Sequence, residues 1–380
     1  MIYLDQAATS FPKPTEVIEA VCETLRNVPG SPGRSAHKGA VAASRIVFEA
    51  REKTAAFLGA QDSTQIIFTS GATEAINLVL MGLLKEGDRV LATSMEHNAV
   101  ARPLEFLRKA KKIEIAYVPC DKEGFLDLDA FEKLCLEKRP RLICVNFVSN
   151  VCGAIQPLAE IVSLKEDSLL LVDAAQAIGH LPIDVSHTAI DFLAFSAHKG
   201  LMGPPGVGVL YLAPGMEKEL SPVKLGGTGS RSESLMQPEF LPDRFEPGTP
   251  NLCGIAGLSA AIDFIEKTGI SRIHRHETAL ADIFLEKIRN HPNIEIYGPK
   301  ERVKATAIVS VNVKDKSPSG VARILDQEFD IAVRPGLHCA PLAHQTLGTM
   351  PQGTVRFSFG YFNRVHDAER AAEALLKIAG

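Results

Sequence analysis

Between residues 60 and 212 short apolar runs alternate with amphipathic segments, and this rhythm admits very few architectures. The runs Gln65–Thr69, Arg89–Thr93, Ile113–Val118, Leu142–Phe147, Leu169–Asp173, Phe192–Phe195 and Val207–Leu212 are short and β-branched or Leu-rich, and read as strands. Helical patterns at Glu74–Leu84, Ala99–Lys109 and Asp129–Lys138 lie between them. Such alternation predicts a mostly parallel sheet covered on both faces. The link before the last run, GPPG at 203–206, is too short for a crossover, so that strand is expected to be antiparallel. Residues Leu225–Asn251 are rich in Gly, Ser and Pro without periodicity and predict a long loop. Helical patterns follow at Cys253–Thr268 and Ser271–Asn290, then strands near Ala307–Val313, Ile331–Val333 and Thr354–Phe359 and a final helix. The expected fold class is α/β. A large domain over 18–252 would hold a mostly parallel, seven-stranded sheet between helices, and 1–17 with 253–380 would form a smaller α+β domain.

With 380 residues the chain is too long for one simple core. Its 41 basic and 45 acidic residues give a formal charge of −4, which leaves no footprint for nucleic acid or an anionic membrane. No apolar run reaches the roughly 18 residues of a membrane span. The opening MIYLDQAATSFPKP lacks the basic flank and apolar stretch of a secretory signal, so a cytoplasmic protein is expected. The seven cysteines form no C-x-x-C pair and no zinc-ligand spacing, so neither a disulfide framework nor a metal site is expected.

In an open α/β sheet, ligands bind beyond the carboxyl ends of the strands, so the residues that close each strand carry the functional signal. The first strand runs into Ser70-Gly71-Ala72-Thr73-Glu74 and a helix, which reads either as an anion seat or as a plain N-cap turn. His97, just past the second strand, could stack on an aromatic ligand, move protons, or be structural. Asn146, Ser149 and Asn150 follow the fourth strand and could hold a ligand or satisfy turn backbone. Asp173 closes an almost wholly apolar strand and needs a positive partner: a protonated ring nitrogen, an Arg, or a helix N-terminus. After the sixth strand comes Ser196-Ala197-His198-Lys199, with a lysine where desolvation would favour amine chemistry. Anion seat, His, Asp and Lys on successive strand ends match the needs of pyridoxal phosphate.

The motifs YLDQAAT, FTSGATEAINLV, MEHNAV, VSNVCG, LVDAAQAIGH, FSAHKGLMGPPGVGVLY, FEPGTPN, RPGLHCAPLAH and VRFSFG extend nearly end to end. In this order the chain resembles the class V aminotransferase family of fold-type I pyridoxal-phosphate enzymes, and within it the cysteine desulfurases and selenocysteine lyases. The resemblance implies that Lys199 carries pyridoxal 5′-phosphate, His97 stacks on its ring, Asp173 pairs with the ring nitrogen and Gln176 meets the ring hydroxyl. Ala72, Thr73, Ser196 and His198 would hold the phosphate. Gly248 and Thr249 would reach the phosphate of a neighbouring subunit, which implies a homodimer. Asn150, Arg334 and Arg356 would bind the substrate amino acid, with Arg356 clamping its carboxylate.

The same resemblance makes Cys339 the nucleophile that takes sulfur from L-cysteine and leaves L-alanine; a cysteine met at random would be an inert loop thiol. Attack requires a thiolate, toward which the neighbouring Arg334 and His338 could bias it. Only 16 residues separate Cys339 from Arg356, similar to the short cysteine loop of the SufS-like group, whose persulfide is usually collected by a dedicated acceptor protein. Pro335 and Leu337 depart from that group's frequent Thr and His. L-selenocysteine lyase or another class V aminotransferase or lyase activity is the alternative, and a non-catalytic scaffold is a further one. A dinucleotide-dependent oxidoreductase is disfavoured, since no G-x-G-x-x-G opens a helix after a strand.

Overall fold

The computed structural model describes residues 1–380. Strand β1 (Ile2–Tyr3) is followed by two long helices, α1 (Thr15–Asn27) and α2 (Lys38–Leu58), that the periodicity reading leaves unassigned. The buried face of α2 is largely small, with Ala40, Ala43, Ala50 and Ala55, so it does not stand out as an apolar stripe. The helix ends at Gly59, whose φ of 71° is the left-handed turn that glycine adopts without strain.

The alternating region then builds β2 (Ile66–Thr69), α3 (Ala72–Leu83), β3 (Arg89–Thr93), α4 (Asn98–Ala110), β4 (Glu114–Val118), α5 (Leu128–Lys138), β5 (Leu142–Asn146), α6 (Leu158–Leu164), β6 (Leu169–Asp173), β7 (Phe192–Ser196) and β8 (Gly208–Leu212). Every strand expected here is present within two residues of its predicted ends. The seven strands form one sheet in the order β2-β8-β7-β6-β5-β3-β4. All neighbouring pairs are parallel except those of β8, which runs antiparallel to β7 and β2, as the GPPG link requires. Strands β5, β7 and β8 are buried along their whole length and β6 at all but Leu169, which explains their continuous apolar runs. A Cβ on Gly208 would fall 2.5 Å from Gly71 Cα, so β8 can pass beside the turn entering α3 only as glycine.

The rest forms α7 (Leu252–Thr268), α8 (Ile270–Ile288), β9 (Ile294–Tyr297), β10 (Ile308–Val313), α9 (Pro318–Phe329), β11 (Ile331–Ala332), β12 (Arg334–Gly336), α10 (Pro341–Leu347), β13 (Thr354–Ser358) and α11 (Val365–Ala379). A four-stranded antiparallel sheet, β12-β13-β10-β9, packs against α8, α9 and α11 as a second core that includes Phe284, Phe357 and Leu375. Strand β1 pairs with β11, and Leu4 enters this core, so the N-terminal residues join the small unit. Helix α7 instead buries Ile255, Leu258, Ile262 and Ile265 in the core of the large sheet, beside α1 and α2. Ile273, early in α8, joins the same core, so the packing of α7 follows the large sheet. That helix is apolar enough for either core, and no loop composition marks the change.

No element lies between residues 219 and 251, matching the expected long loop. Its end is tied down by Glu246, whose two oxygens meet Arg51 Nη1 and Nη2 at 2.7 and 2.8 Å, with side chains only 13% and 7% exposed. Phe68 N also donates to Glu246, and the Arg51 guanidinium lies 4.5 Å over the Phe68 ring. Removing one partner of such a pair strands a buried charge. Glu246→Ala is expected to lose about 3–5 kcal/mol in urea unfolding of the whole chain. A loss within the ~1 kcal/mol of a surface ion pair would show that Arg51 does not anchor this segment.

Candidate active site

The carboxyl ends of the parallel strands open onto a cavity of about 230 Å³. Ala72, Thr73, His97, Asn150, Asp173, Gln176, Ser196, His198, Lys199, Arg334 and Arg356 all line it. Register explains part of this convergence. Asn146 on β5 stands beside Asp173 on β6, Asp173 beside Ala194 on β7, and Ser196 closes β7 two residues later.

One wall is the N-terminus of α3. Helix starts leave backbone N–H groups without partners and carry a partial positive charge, a natural seat for a phosphate. Ser196 Oγ accepts from Ala72 N at 2.8 Å, which fixes the serine against this helix start and leaves its own proton free. Glu74 turns away, its carboxylate taking Ser70 N at 2.6 Å. His198 Nδ1 is buried with no partner in the chain, an orphan that a bound oxygen would satisfy.

At the floor Asp173 is 5% exposed and accepts one hydrogen bond, from Ala175 N at 3.0 Å. Burial holds its carboxyl above the usual carboxylate range, and the charge of Lys199 partly offsets this. Burial pulls the Lys199 amine below the ordinary lysine value, with Asp173 opposing and Arg356 and Arg334 adding to the depression. A carboxylate with spare acceptors beside an amine inclined to be neutral suits a cationic aromatic ring held through an amine linkage. His97 caps α4, and its Nδ1 accepts Ala99 N at 3.0 Å. That contact leaves the proton on Nε2 and fixes the ring plane. Gln176 Nε2 donates to Ala7 O at 2.8 Å, tying the cavity to the N-terminal segment, whose Ala7 and Ala8 complete the lining. These donors, the anion seat and the unpartnered atoms fit pyridoxal phosphate.

The small unit supplies the opposite wall. Arg334 on β12 pairs directly with Arg356 on β13, which places both side chains on one face of the sheet. Arg356 is 1% exposed; Nη1 donates to Asn150 O at 2.9 Å, Nη2 to Asp5 Oδ1 at 2.8 Å, and Nε is unpartnered. Asn150 Oδ1 is likewise buried and free. Asp5 belongs to the quoted motif YLDQAAT, but no local signal in the sequence ties it to Arg356.

Cys339 lies outside the cavity on an adjoining groove that shares Thr73 and His97 with it. It is exposed, and Arg334 Nη2 donates to its sulfur at 3.2 Å. His338 does not approach the thiol, contrary to the possibility raised by its position in the sequence. Its ring is buried and turned inward, with Nε2 at 3.0 Å from Arg334 O and Nδ1 at 3.2 Å from His344 Nε2. Gly248 and Thr249 are also absent from the Lys199 cavity of their own chain. They line a separate depression with Ser70, Glu74 and Lys224, on the far side of the β2–α3 turn. Two further residues escape sequence reasoning. Ala8 carries no chemistry, and Glu96 is fully buried beneath the site, where Thr93 Oγ1 and Asn146 N donate to its Oε1 at 2.7 and 2.8 Å.

The buried titratable groups set a pH response. Burial lowers His97, His198 and His344 to about 4 and His338 to about 2, with neighbouring positive charges adding to the first two and to His338. A histidine kept neutral in the folded chain stabilises it above the unfolded value near ~6.5, and that contribution is lost as pH falls toward 4. Glu96 acts in the opposite sense. Burial pushes it up to about 7, so its contribution is lost as pH rises from the ordinary carboxylate range through 7. Melting of the cofactor-free protein is expected to fall between pH 6.5 and 4.5. The Glu96→Gln variant should gain on the parent as pH rises from 5 to 8; a constant difference between the two would contradict a raised Glu96.

The aminotransferase class-V family model matches residues 2–371. A probable cysteine desulfurase of Methanothermobacter thermautotrophicus is 37% identical over 385 residues, covering 100% of this chain and 95% of its own. A cysteine desulfurase of Escherichia coli is 33% identical over 389 residues, covering 100% and 93%. Among solved structures, the apo cysteine desulfurase of Thermococcus onnurineus superposes with a TM-score of 0.94 at 36% identity, covering 100% of this chain and 94% of the other. An S-sulfonic acid form of an Escherichia coli cysteine desulfurase gives 0.89 at 29% identity, covering 99% and 94%. The chain belongs to the class V aminotransferase family of pyridoxal-phosphate enzymes.

Proposed function

We propose that this protein is a cysteine desulfurase that uses pyridoxal 5′-phosphate to convert L-cysteine to L-alanine, with the sulfur received on Cys339. One observation carries the reading: an exposed thiol held against Arg334 beside a cavity in which Lys199 faces Asp173.

Pyridoxal phosphate, when bound, supplies an electron sink for the substrate α-carbon. The chain's own groups do the rest. Ala72, Thr73, Ser196 and His198 would hold its phosphate, Asp173 would meet the ring nitrogen, Gln176 the ring hydroxyl, and His97, with its tautomer set by Ala99 N, would stack on the ring. Lys199 would carry the cofactor, and its amine would move the proton at the substrate Cα. Burial holds that amine below the ordinary lysine value, which favours the neutral form that accepts a proton. Arg356, with Nε free, clamps the substrate carboxylate, and Asn150 and Arg334 complete that side. Cys339 Sγ attacks the substrate sulfur. The new S–S bond forms as the substrate Cβ–S bond breaks, the bonding pair stays with carbon, and protonation releases alanine. The outer sulfur keeps the thiol proton, and the exposed position of Cys339 lets an acceptor protein collect it, as iron–sulfur cluster assembly would require.

The position of Gly248 and Thr249, away from their own chain's cavity, supports a homodimer in which each copy completes the other's phosphate site. Val223, Leu225, Leu235, Met236 and Phe240 are exposed apolar side chains on the same loop, an arrangement that a second copy would cover. No helix is long and apolar enough to cross a membrane, and the seven cysteines are all unpaired, which supports a reducing, cytoplasmic setting.

Wild-type protein with L-cysteine and a reductant is expected to release alanine and sulfide in equal amounts. Cys339→Ser should lose both by about 100-fold or more, since a nucleophile has been removed, while keeping its cofactor absorbance. No sulfide from wild type with bound cofactor would refute the reading.

A further inference from the structure

We propose that Thr349 and His344 are positioning residues for Cys339, acting through His338 and Arg334 as a hydrogen-bonded string of fixed direction. The proposal rests on the reading of Cys339 as the sulfur-accepting thiol and adds a device that holds it in place.

The turn that presents the thiol needs such a device. Ala340 N donates to Leu337 O at 2.8 Å, closing a four-residue turn whose two central residues, His338 and Cys339, have φ of 48° and 58°. Positive φ at both centres is the pattern that Asn-Gly adopts readily, and neither residue here is glycine. A turn of this kind persists only where its surroundings impose it. Two ties hold its backbone: Asn98 N donates to Cys339 O at 2.8 Å, and Asn150 Nδ2 to His338 O at 2.7 Å. They restrain the turn but do not tie it to Arg334, which the β12–β13 pairing holds on its own strand.

The string supplies that restraint. Thr349 Oγ1 lies 2.6 Å from His344 Nδ1, His344 Nε2 lies 3.2 Å from His338 Nδ1, and His338 Nε2 lies 3.0 Å from Arg334 O. The two rings stand 5.3 Å apart at 31°, and His338, His344 and Thr349 are 2%, 0% and 6% exposed. Its direction follows from its end. A carbonyl can only accept, so His338 carries its proton on Nε2. Burial keeps both rings neutral. His338 Nδ1 must therefore accept from His344 Nε2–H, and His344 Nδ1 from the Thr349 hydroxyl. All four ring nitrogens are used, so His338 has none left to serve the thiol as a base. The string ends on the backbone of the residue whose side chain meets Cys339 Sγ at 3.2 Å. It fixes the β12 end against α10 and so sets the guanidinium beside the sulfur. Without the Thr349 hydroxyl, His344 is free to place its proton on Nδ1. His338 can then follow, and the bond to Arg334 O is lost.

The test uses holoenzyme of wild type, Thr349→Val and Thr349→Ser, with iodoacetamide as the probe. Peptide mass mapping separates alkylation of Cys339 from that of the other cysteines. Thr349→Val, which keeps the shape but removes the donor, is expected to slow Cys339 alkylation and lower kcat by about two- to tenfold, the worth of one hydrogen bond. The cofactor absorbance should not change, and Thr349→Ser should restore both rates. Wild-type alkylation in Thr349→Val would overturn the proposal. So would equal loss in both variants, or loss of cofactor absorbance alongside alkylation. If alkylation follows the expected order while no form releases sulfide, the positioning role stands and the desulfurase reading falls.

Discussion

The structure is organised around one electrostatic requirement: a carboxylate and an amine must sit together at the edge of an apolar sheet. Asp173 closes and Lys199 follows a strand that is buried nearly throughout, and an unpaired charge there costs several kcal/mol. Neither is neutralised by a conventional ion pair within the chain. Burial instead shifts both toward their neutral forms, Asp173 upward and Lys199 downward, and each moderates the other. Such a site holds unsatisfied capacity for a ligand that is cationic at one end and anionic at the other. The helix start at Ala72, the free proton of Ser196 and the orphan nitrogen of His198 would meet the anionic end.

The substrate side is assembled only where the two units dock. Arg356 and Arg334 come from paired strands of the small sheet, yet Arg356 donates to Asn150 of the large unit and to Asp5 of the N-terminal segment. Asn98, at the start of a large-unit helix, holds the carbonyl of Cys339. The contacts of Asn150 and Asn98 cross the boundary, and each involves a residue within a few positions of the cavity. Domain packing and site geometry are thus one property. A change in how the units sit would move the carboxylate clamp and the thiol together.

Much of this was legible in the chain because parallel strands are buried on both faces and end in polar residues. Asp173, Ser196 and Lys199 stand out for being polar where an apolar run stops. The antiparallel course of β8 was legible too, since a four-residue link leaves no room for a crossover. What escaped was of another kind. Helix α2 buries alanines, which give little contrast between faces. Helix α7 is apolar enough for either core, and only packing shows which one it joins. His338 adjoins Cys339 in sequence, but two successive positive φ values turn its ring inward, away from the sulfur. Glu96 and Asp5 act through partners about 50 and 351 positions away, and local patterns carry no such information. Gly248 and Thr249 are singled out by family resemblance alone. A single copy of the chain does not bring them to the cavity.

The central claim is that the desolvated amine facing Asp173 is the cofactor's attachment point. Borohydride reduction of protein purified with pyridoxal phosphate, followed by peptide mapping, tests it directly. The expected result is a single pyridoxyl group per chain, on the peptide that contains Lys199, and none on Lys13 or Lys224. Label on another lysine, or its persistence in Lys199→Ala, would contradict the claim.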